Sequence, residues 1–208
     1  MKRINTKFLL AIIVLLIGFQ ANAQDKKFNF GLKIAPAISW LNIEYVGDVA
    51  SGGAVPKFNW GFTGIYNVSE NFGIVSGFNV NALGGNIKYN NDIEGPPSPY
   101  KYSEIQIPLL FQMKSNEILN FHIFAQLGLA GGFFLKAKDN EDRSIEKETT
   151  ALNSAFIIAA GIYYPIIADM NLMAQFKYNA GLNNISRSDN FNDKIKTSFV
   201  ELSLGVMF

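Results

Sequence analysis

Segments of this 208-residue chain alternate apolar and polar residues with a period of two, and this pattern constrains the fold more than any other feature. The last of them, residues 196–208 (KTSFVELSLGVMF), sets Val200, Leu202, Leu204 and Val206 on one face and Phe199, Glu201, Ser203 and Gly205 on the other. A period of two means a β-strand with a different environment on each side, and a tilted strand of about 9–11 residues crosses a bilayer. The same reading places strands at 28–43, 58–68, 72–88, 100–113, 121–136, 154–164 and 170–183. The alternation is weakest at 154–164, where Ile157 and Ala159 lie opposite Phe156, Ile158 and Ile162.

The connections supply the topology. Segments 44–57, 90–99, 137–152 and 184–195 are long, and they alternate with short links at 69–71, 114–117 and 165–169. A long–short rhythm through eight strands is expected of an antiparallel up-and-down transmembrane barrel with long external loops and short periplasmic turns. The apolar faces of these strands carry no Lys, Arg, Asp, Glu or His. A lysine or arginine facing lipid at mid-bilayer costs about 2–4 kcal/mol, so this exclusion is the expected mark of a membrane wall. A soluble barrel with an apolar interior would also have one greasy face per strand. Its outer face would need charge at most positions, whereas here the second face is mainly Gly, Ala, Ser, Asn and Gln.

The polar faces contain Lys33, Glu104, Gln106, Gln126, Gln175, Lys177 and Glu201, together with His122 and Lys136. With the last long loop centred near residue 190, Lys177 and Glu201 become cross-strand neighbours, and Lys33 lies on the strand that closes the barrel beside them. An eight-stranded barrel is just wide enough for its own side chains, so the cluster reads as a polar plug. A narrow passive pore for ions or small solutes is the alternative. Trp40 and Trp60 fall nearly opposite each other beside the first long loop, and Phe72, Phe121, Tyr164 and Phe208 lie near the short turns. These are the expected aromatic belts at the two interfaces. Pro36 and Pro108 interrupt strands and predict a bulge or local fray at each.

Composition fits one all-β domain: 49% of residues are apolar, only 17% are charged, and Gly (18 residues) is plentiful. Residues 1–23 read as a cleaved secretory signal, with Lys2, Arg3 and Lys7 before an apolar run at 8–19 and Ala21-Asn22-Ala23 before Gln24. The barrel domain is then 24–208. Losing those three basic residues takes Lys+Arg from 18 to 15 against 17 Asp+Glu, a net charge of −2, which excludes a nucleic-acid partner. With no cysteine, there is no disulfide framework and no thiol chemistry.

No catalytic, metal or cofactor site is expected, and the chain is read as a non-enzyme. His122 is the sole histidine and lacks partners for a metal site or a catalytic triad. The run 139–143 lacks the spaced oxygens and the glycine of a calcium loop. Gly84-Gly85 and Gly131-Gly132 precede no helix that would aim amides at a phosphate, and they read as sites of strand curvature.

The segment Ile105-Gln106-Ile107-Pro108-Leu109-Leu110 after Tyr102, with Gly31-Leu32-Lys33 and Leu202-Ser203-Leu204-Gly205, resembles the porin-family, PorT-type outer-membrane β-barrel domain of Bacteroidetes-like bacteria. The resemblance implies an eight-stranded barrel in the outer membrane. It further implies insertion by the barrel-assembly machinery after transit with periplasmic chaperones, and Phe208 as the assembly signal. Outer-membrane lipid and an extracellular partner reached by the loops complete the expected partners. The expected function is a closed scaffold presenting those loops for adhesion, ligand capture or partner binding.

Overall fold

The computed structural model describes residues 27–44, 49–89, 98–139, 143–145, 149–167, 170–186 and 194–208. The expected signal segment, Pro96-Pro97 and the acidic residues 141–142 lie outside the described residues. Among the described residues nine strands form: β1 (Phe28–Glu44), β2 (Val49–Gly53), β3 (Val55–Asn67), β4 (Phe72–Tyr89), β5 (Ser98–Lys114), β6 (His122–Lys138), β7 (Leu152–Ile167), β8 (Met170–Gly181) and β9 (Lys194–Met207). All neighbours pair antiparallel. Eight of the strands close a ring in the order β1-β3-β4-β5-β6-β7-β8-β9 and back to β1, and β2 rides on the loop end of β4. The weakly patterned segment at 154–164 is part of β7, where Ile157 and Ala159 are buried and Ile158 and Ile162 are exposed.

Burial follows the alternation. Leu202 and Leu204 are 54% and 50% exposed, while Glu201 and Ser203 between them are 2% and 0% exposed. The outward face carries Leu32, Ile34, Ile38, Ile107, Leu109, Leu127, Leu129, Ile158 and Phe176 around the whole ring. A continuous exposed apolar band of this extent is stable against hydrocarbon and not against water.

The prolines behave differently from expectation. Opposite Pro36 the β1–β9 ladder lacks its pairs between Ile34↔Leu204 and Ala37↔Glu201, and around Pro108 the β4–β5 ladder lacks those between Val75↔Leu110 and Asn79↔Gln106. Register is the same on both sides of each gap, so neither proline makes a bulge and no face flips. The missing N–H costs ladder bonds on one side only, because the other neighbour stays paired throughout.

A true bulge lies between Ser103 and Glu104 on β5, which pair with Lys136 and Phe134 and leave Leu135 as the extra residue. It reverses the facing of the end of β6. Lys136, expected in the lumen, is therefore exposed, and Ala137 is buried in its place. Trp60 is also displaced from its expected place beside the first long loop. Because β3 already begins at Val55, Trp60 pairs with Ile34 in mid-wall, whereas Trp40 pairs with Ser198 near the loop end. Trp40 stacks on Tyr178 (centroids 6.3 Å apart), while Trp60 meets Phe78 edge-on at 6.1 Å.

Near the short turns Phe72, Tyr164 and Phe208 are about half exposed on the outer surface, and Phe72 stacks on Phe111 with centroids 5.7 Å apart. Phe121 precedes β6 in a turn, bridged to Ile118. In register terms, Gly77 faces Pro108 across the interrupted β4–β5 ladder, with φ +145°. A Cβ there would stand 2.1 Å from the carbonyl oxygen of Phe62. Replacing Gly77 by alanine is expected to destabilise the barrel by about 1–3 kcal/mol, read as a lower denaturant midpoint of refolded protein, since the strained backbone and the clash act together.

Candidate functional site: a filled lumen

The inward residues form three zones along the barrel axis. At the loop end, Ala37, Leu41, Leu83, Ile87, Tyr102, Ala137, Ile185 and Phe199 make an apolar cluster. It exists because β4 does not continue straight up the wall: pairing with β3 ends at Trp60↔Val80, and beyond it β4 lies against β1. Ser39 Oγ donates to the carbonyl of Gly84 at 2.8 Å and accepts from its N–H at 3.0 Å. Asn59 Oδ1 accepts the N–H of Ala82 at 2.9 Å, satisfying a group that β3 no longer pairs. A Cβ on Gly85 would stand 2.7 Å from the Leu41 amide nitrogen, so the close approach requires glycine. Leu83 and Ile87 are thereby carried over the mouth. The glycine pair had suggested only curvature, and the local pattern holds no sign that the strand leaves its neighbour.

The middle zone is charged. Glu201 on β9 pairs in register with Lys177 on β8, which puts the centre of the hairpin at residue 189, one residue from the expected 190. Lys177 Nζ stands 2.8 Å from Glu201 Oε1, and Lys33 Nζ from β1 reaches the same oxygen at 3.2 Å. Ser203 Oγ donates to Oε1 at 3.0 Å, and Asn59 Nδ2 from β3 donates to Oε2 at 2.8 Å. One carboxylate thus ties together four strands, and all three charged residues are at most 9% exposed. The second buried carboxylate, Glu104, accepts from Asn153 Nδ2 at 2.8 Å and Asn81 Nδ2 at 3.2 Å. Both asparagines were missed as partners, although each has the polar parity of its strand.

Toward the short turns the lumen is crossed by amides. Gln175 Nε2 donates to Gln126 (2.9 Å), Gln126 Nε2 donates to Gln112 (2.8 Å), and Tyr163 OH also donates to Gln112 (3.0 Å). On the loop side of Lys177, Asn179 Nδ2 of β8 donates to Gln106 of β5 across the lumen at 3.0 Å. Between these bonds sit Ile65, Val75, Leu110, Phe124, Ile157 and Met173, all buried. His122 is half-buried at the short-turn mouth, with Nδ1 3.1 Å from the carbonyl oxygen of Ser115. Among the described residues no cluster of His, Cys, Asp and Glu could hold a metal ion.

A buried ion pair adds little net stability over apolar packing, but breaking one by removing a partner is costly. Glu201→Ala leaves two buried ammonium groups and is expected to destabilise the barrel by about 3–5 kcal/mol in detergent-micelle unfolding. Removing all three charges together (Lys33→Met, Lys177→Met, Glu201→Leu) is expected to restore much of that loss. Equal midpoints for Glu201→Ala and the native chain would mean that the ammonium groups are hydrated.

The sequence matches a family model described as Outer membrane protein beta-barrel domain over residues 20–187. Among solved structures, Neisserial surface protein A (NspA) aligns with a TM-score of 0.56 and 14% identity, covering 87% of this chain and 96% of that one. OprG of Pseudomonas aeruginosa aligns at 0.49 with 12% identity, covering 86% and 95%. Ail of Yersinia pestis, in complex with the heparin analogue sucrose octasulfate, aligns at 0.45 with 16% identity, covering 88% and 99%. No curated protein matches the sequence. An apolar outer wall closed on itself, the fold shared with NspA and a family model over most of the chain agree: the chain belongs to the outer membrane protein β-barrel domain family and is an integral protein of the bacterial outer membrane.

Proposed function

We propose that the barrel is a closed scaffold whose external loops bind an extracellular ligand or partner. The observation that carries this reading is the filled lumen. The Gln112–Gln126–Gln175 chain links β5, β6 and β8, the Lys33–Glu201–Lys177 cluster links β1, β9 and β8, Asn179 of β8 bonds Gln106 of β5 across the lumen, and Leu83 and Ile87 lie over the loop-end mouth. A solute crossing the barrel would have to break these bonds and pass both apolar clusters. Work on a partner then falls to the loops, where recognition residues concentrate on rigid scaffolds.

Refolded protein in a planar bilayer is expected to show no discrete openings. Reproducible single-channel steps would support the narrow-pore reading instead. The buried carboxylates Glu201 and Glu104 are both held by lumen side chains, which supports a non-enzymatic role.

The closer assignment to the PorT-type domain of Bacteroidetes-like bacteria rests on the Tyr102–Leu110 segment and belongs to the same proposal. So do removal of residues 1–23, periplasmic chaperones as escorts and insertion by the barrel-assembly machinery. For that machinery Phe208 serves as the signal, and its main chain closes the seam: Phe208 N–H donates to Phe30 O at 2.6 Å, and Phe30 N–H donates to Phe208 O at 3.1 Å. Phe208→Ala keeps both backbone bonds. It is expected to lower the amount of protein assembled in cells while leaving refolding into detergent unchanged. A parallel loss in both would make Phe208 a packing residue only.

A further inference from the structure

We infer that the loop-end rim of the outer wall, over β3 to β6, binds the phosphate groups of a lipid in the surrounding leaflet, with Lys57, Lys101, Lys136 and Lys138 as donors. Lys101 on β5 pairs in register with Lys138 on β6, and one step closer to mid-wall Ser103 pairs with Lys136. Lys101 and Lys136 are exposed on the outer surface, whereas Tyr102 and Ala137 beside them are buried in the lumen. The bulge at Leu135 is what turns Lys136 and Lys138 to this side. Lys57 reaches the patch from β3. Its side chain meets the diverted part of β4, where a Cβ on Gly84 would stand 3.3 Å from Lys57 Nζ, and Gly84 is the ladder partner of Lys101. The Lys57 and Lys101 ammonium groups repel each other across that glycine.

Two lysines directly opposite each other on one face of a sheet are destabilising, and Lys57 adds a third charge to the pair. Among the described residues no Asp or Glu shares this outward face of β3 to β6, and no ion pair involves Lys57 or Lys136. The patch is also one-sided. Near the short turns the outward residues of the same four strands are Tyr66, Phe72, Met113 and Ile123, none of them charged. Position selects a lipid over a dissolved anion. Beneath the lysines, the Ile105↔Phe133 pair and Leu135 continue into the exposed apolar band. Lysine stems lie along such a surface with their ammonium groups at headgroup level, so a headgroup held there keeps its acyl chains on Phe133 and Leu135. A phosphate brings negative charge and several acceptor oxygens to a cluster of donors, whereas a zwitterionic headgroup would add a cation to a patch that already repels cations. The inference rests on the external placement of the long loops and is independent of whether the lumen conducts.

The test places the full mature chain in nanodiscs of phosphatidylcholine with a small fraction of bisphosphorylated lipid A, or of the same lipid with both phosphates removed. Native mass spectrometry then counts the lipid that stays on the protein after release into detergent. The phosphorylated form is expected to be retained in preference. Lys136→Gln is expected to weaken retention about fivefold, and Lys101→Gln, Lys136→Gln and Lys138→Gln together about a hundredfold, since a lysine near a charged lipid surface contributes roughly that factor. Lys114→Gln, at the short-turn end, is expected to retain the lipid as the native chain does. Equal retention of the two lipids by the native chain would overturn the inference, a readout that holds even if a variant refolds poorly; so would undiminished retention by the triple variant. Displacement of the lipid by millimolar inorganic phosphate would make the patch a site for dissolved anions and overturn the lipid assignment.

Discussion

Hydrocarbon offers no partner for a backbone N–H or C=O, and the rest of this molecule follows from that constraint. Each wall strand must pair on both sides, so β1 must find β9, and the ring closes through a long ladder from Gly31↔Met207 to Glu44↔Lys194. Where pairing lapses, the structure compensates. The gaps at Pro36 and Pro108 are short and keep register, and the β3–β4 seam opens only near the loop end, where Ser39 and Asn59 supply side-chain bonds to the diverted strand. The start of β3 is paired with β1 but not with β4, and this open edge carries Pro56 and Lys57, residues that discourage pairing with a foreign strand.

Closing the ring creates a second problem, because small barrels have an interior that water cannot fill freely. This chain fills it with amides in pairs and chains. An amide both donates and accepts, so Gln126 can bond Gln112 and Gln175 at once and join three strands without burying net charge. The buried lumen charges are the Lys33–Glu201–Lys177 cluster in the middle and Glu104 beneath the apolar lid, whose carboxylate takes two amide donors. The apolar clusters at the two ends shield this zone from bulk water. That raises the energetic value of every satisfied bond and the cost of every unsatisfied one.

Much of this was legible in the sequence, for a geometric reason. Parity in a strand survives uncertainty about its ends, so the lumen positions of Lys33, Glu104, Gln106, Gln126, Gln175, Lys177 and Glu201 follow from counting in twos. The contact between Lys177 and Glu201 needs only the centre of one loop, which the β8–β9 register puts within a residue of the expected position. Reading failed where one residue changes the count or where a hairpin is lopsided. Leu135 at the bulge turned Lys136 outward, and an early start of β3 at Val55 moved Trp60 away from Trp40. The inward course of β4 had no local signal at all. It depends on contacts with β1, about 45 residues away in sequence, and Gly84-Gly85 marks only that close approach is permitted.

The charge cluster and the closing seam are one feature rather than two. Lys33 comes from β1, Asn59 from β3, Lys177 from β8 and Glu201 from β9, so the carboxylate's partners lie on both sides of β9. In a barrel still open at β1–β9, both lysines face a lumen continuous with water, and their hydration is inexpensive. Once β9 docks, that water is displaced and Glu201 arrives with the same strand, in register, as the replacement. A slip of one residue in the β8–β9 ladder would turn Glu201 to lipid and leave the two ammonium groups buried, two penalties for a single error. The buried charges therefore act as a register lock on closure. The same polar group that contributes little to stability relative to an apolar core specifies which ring of strands can close.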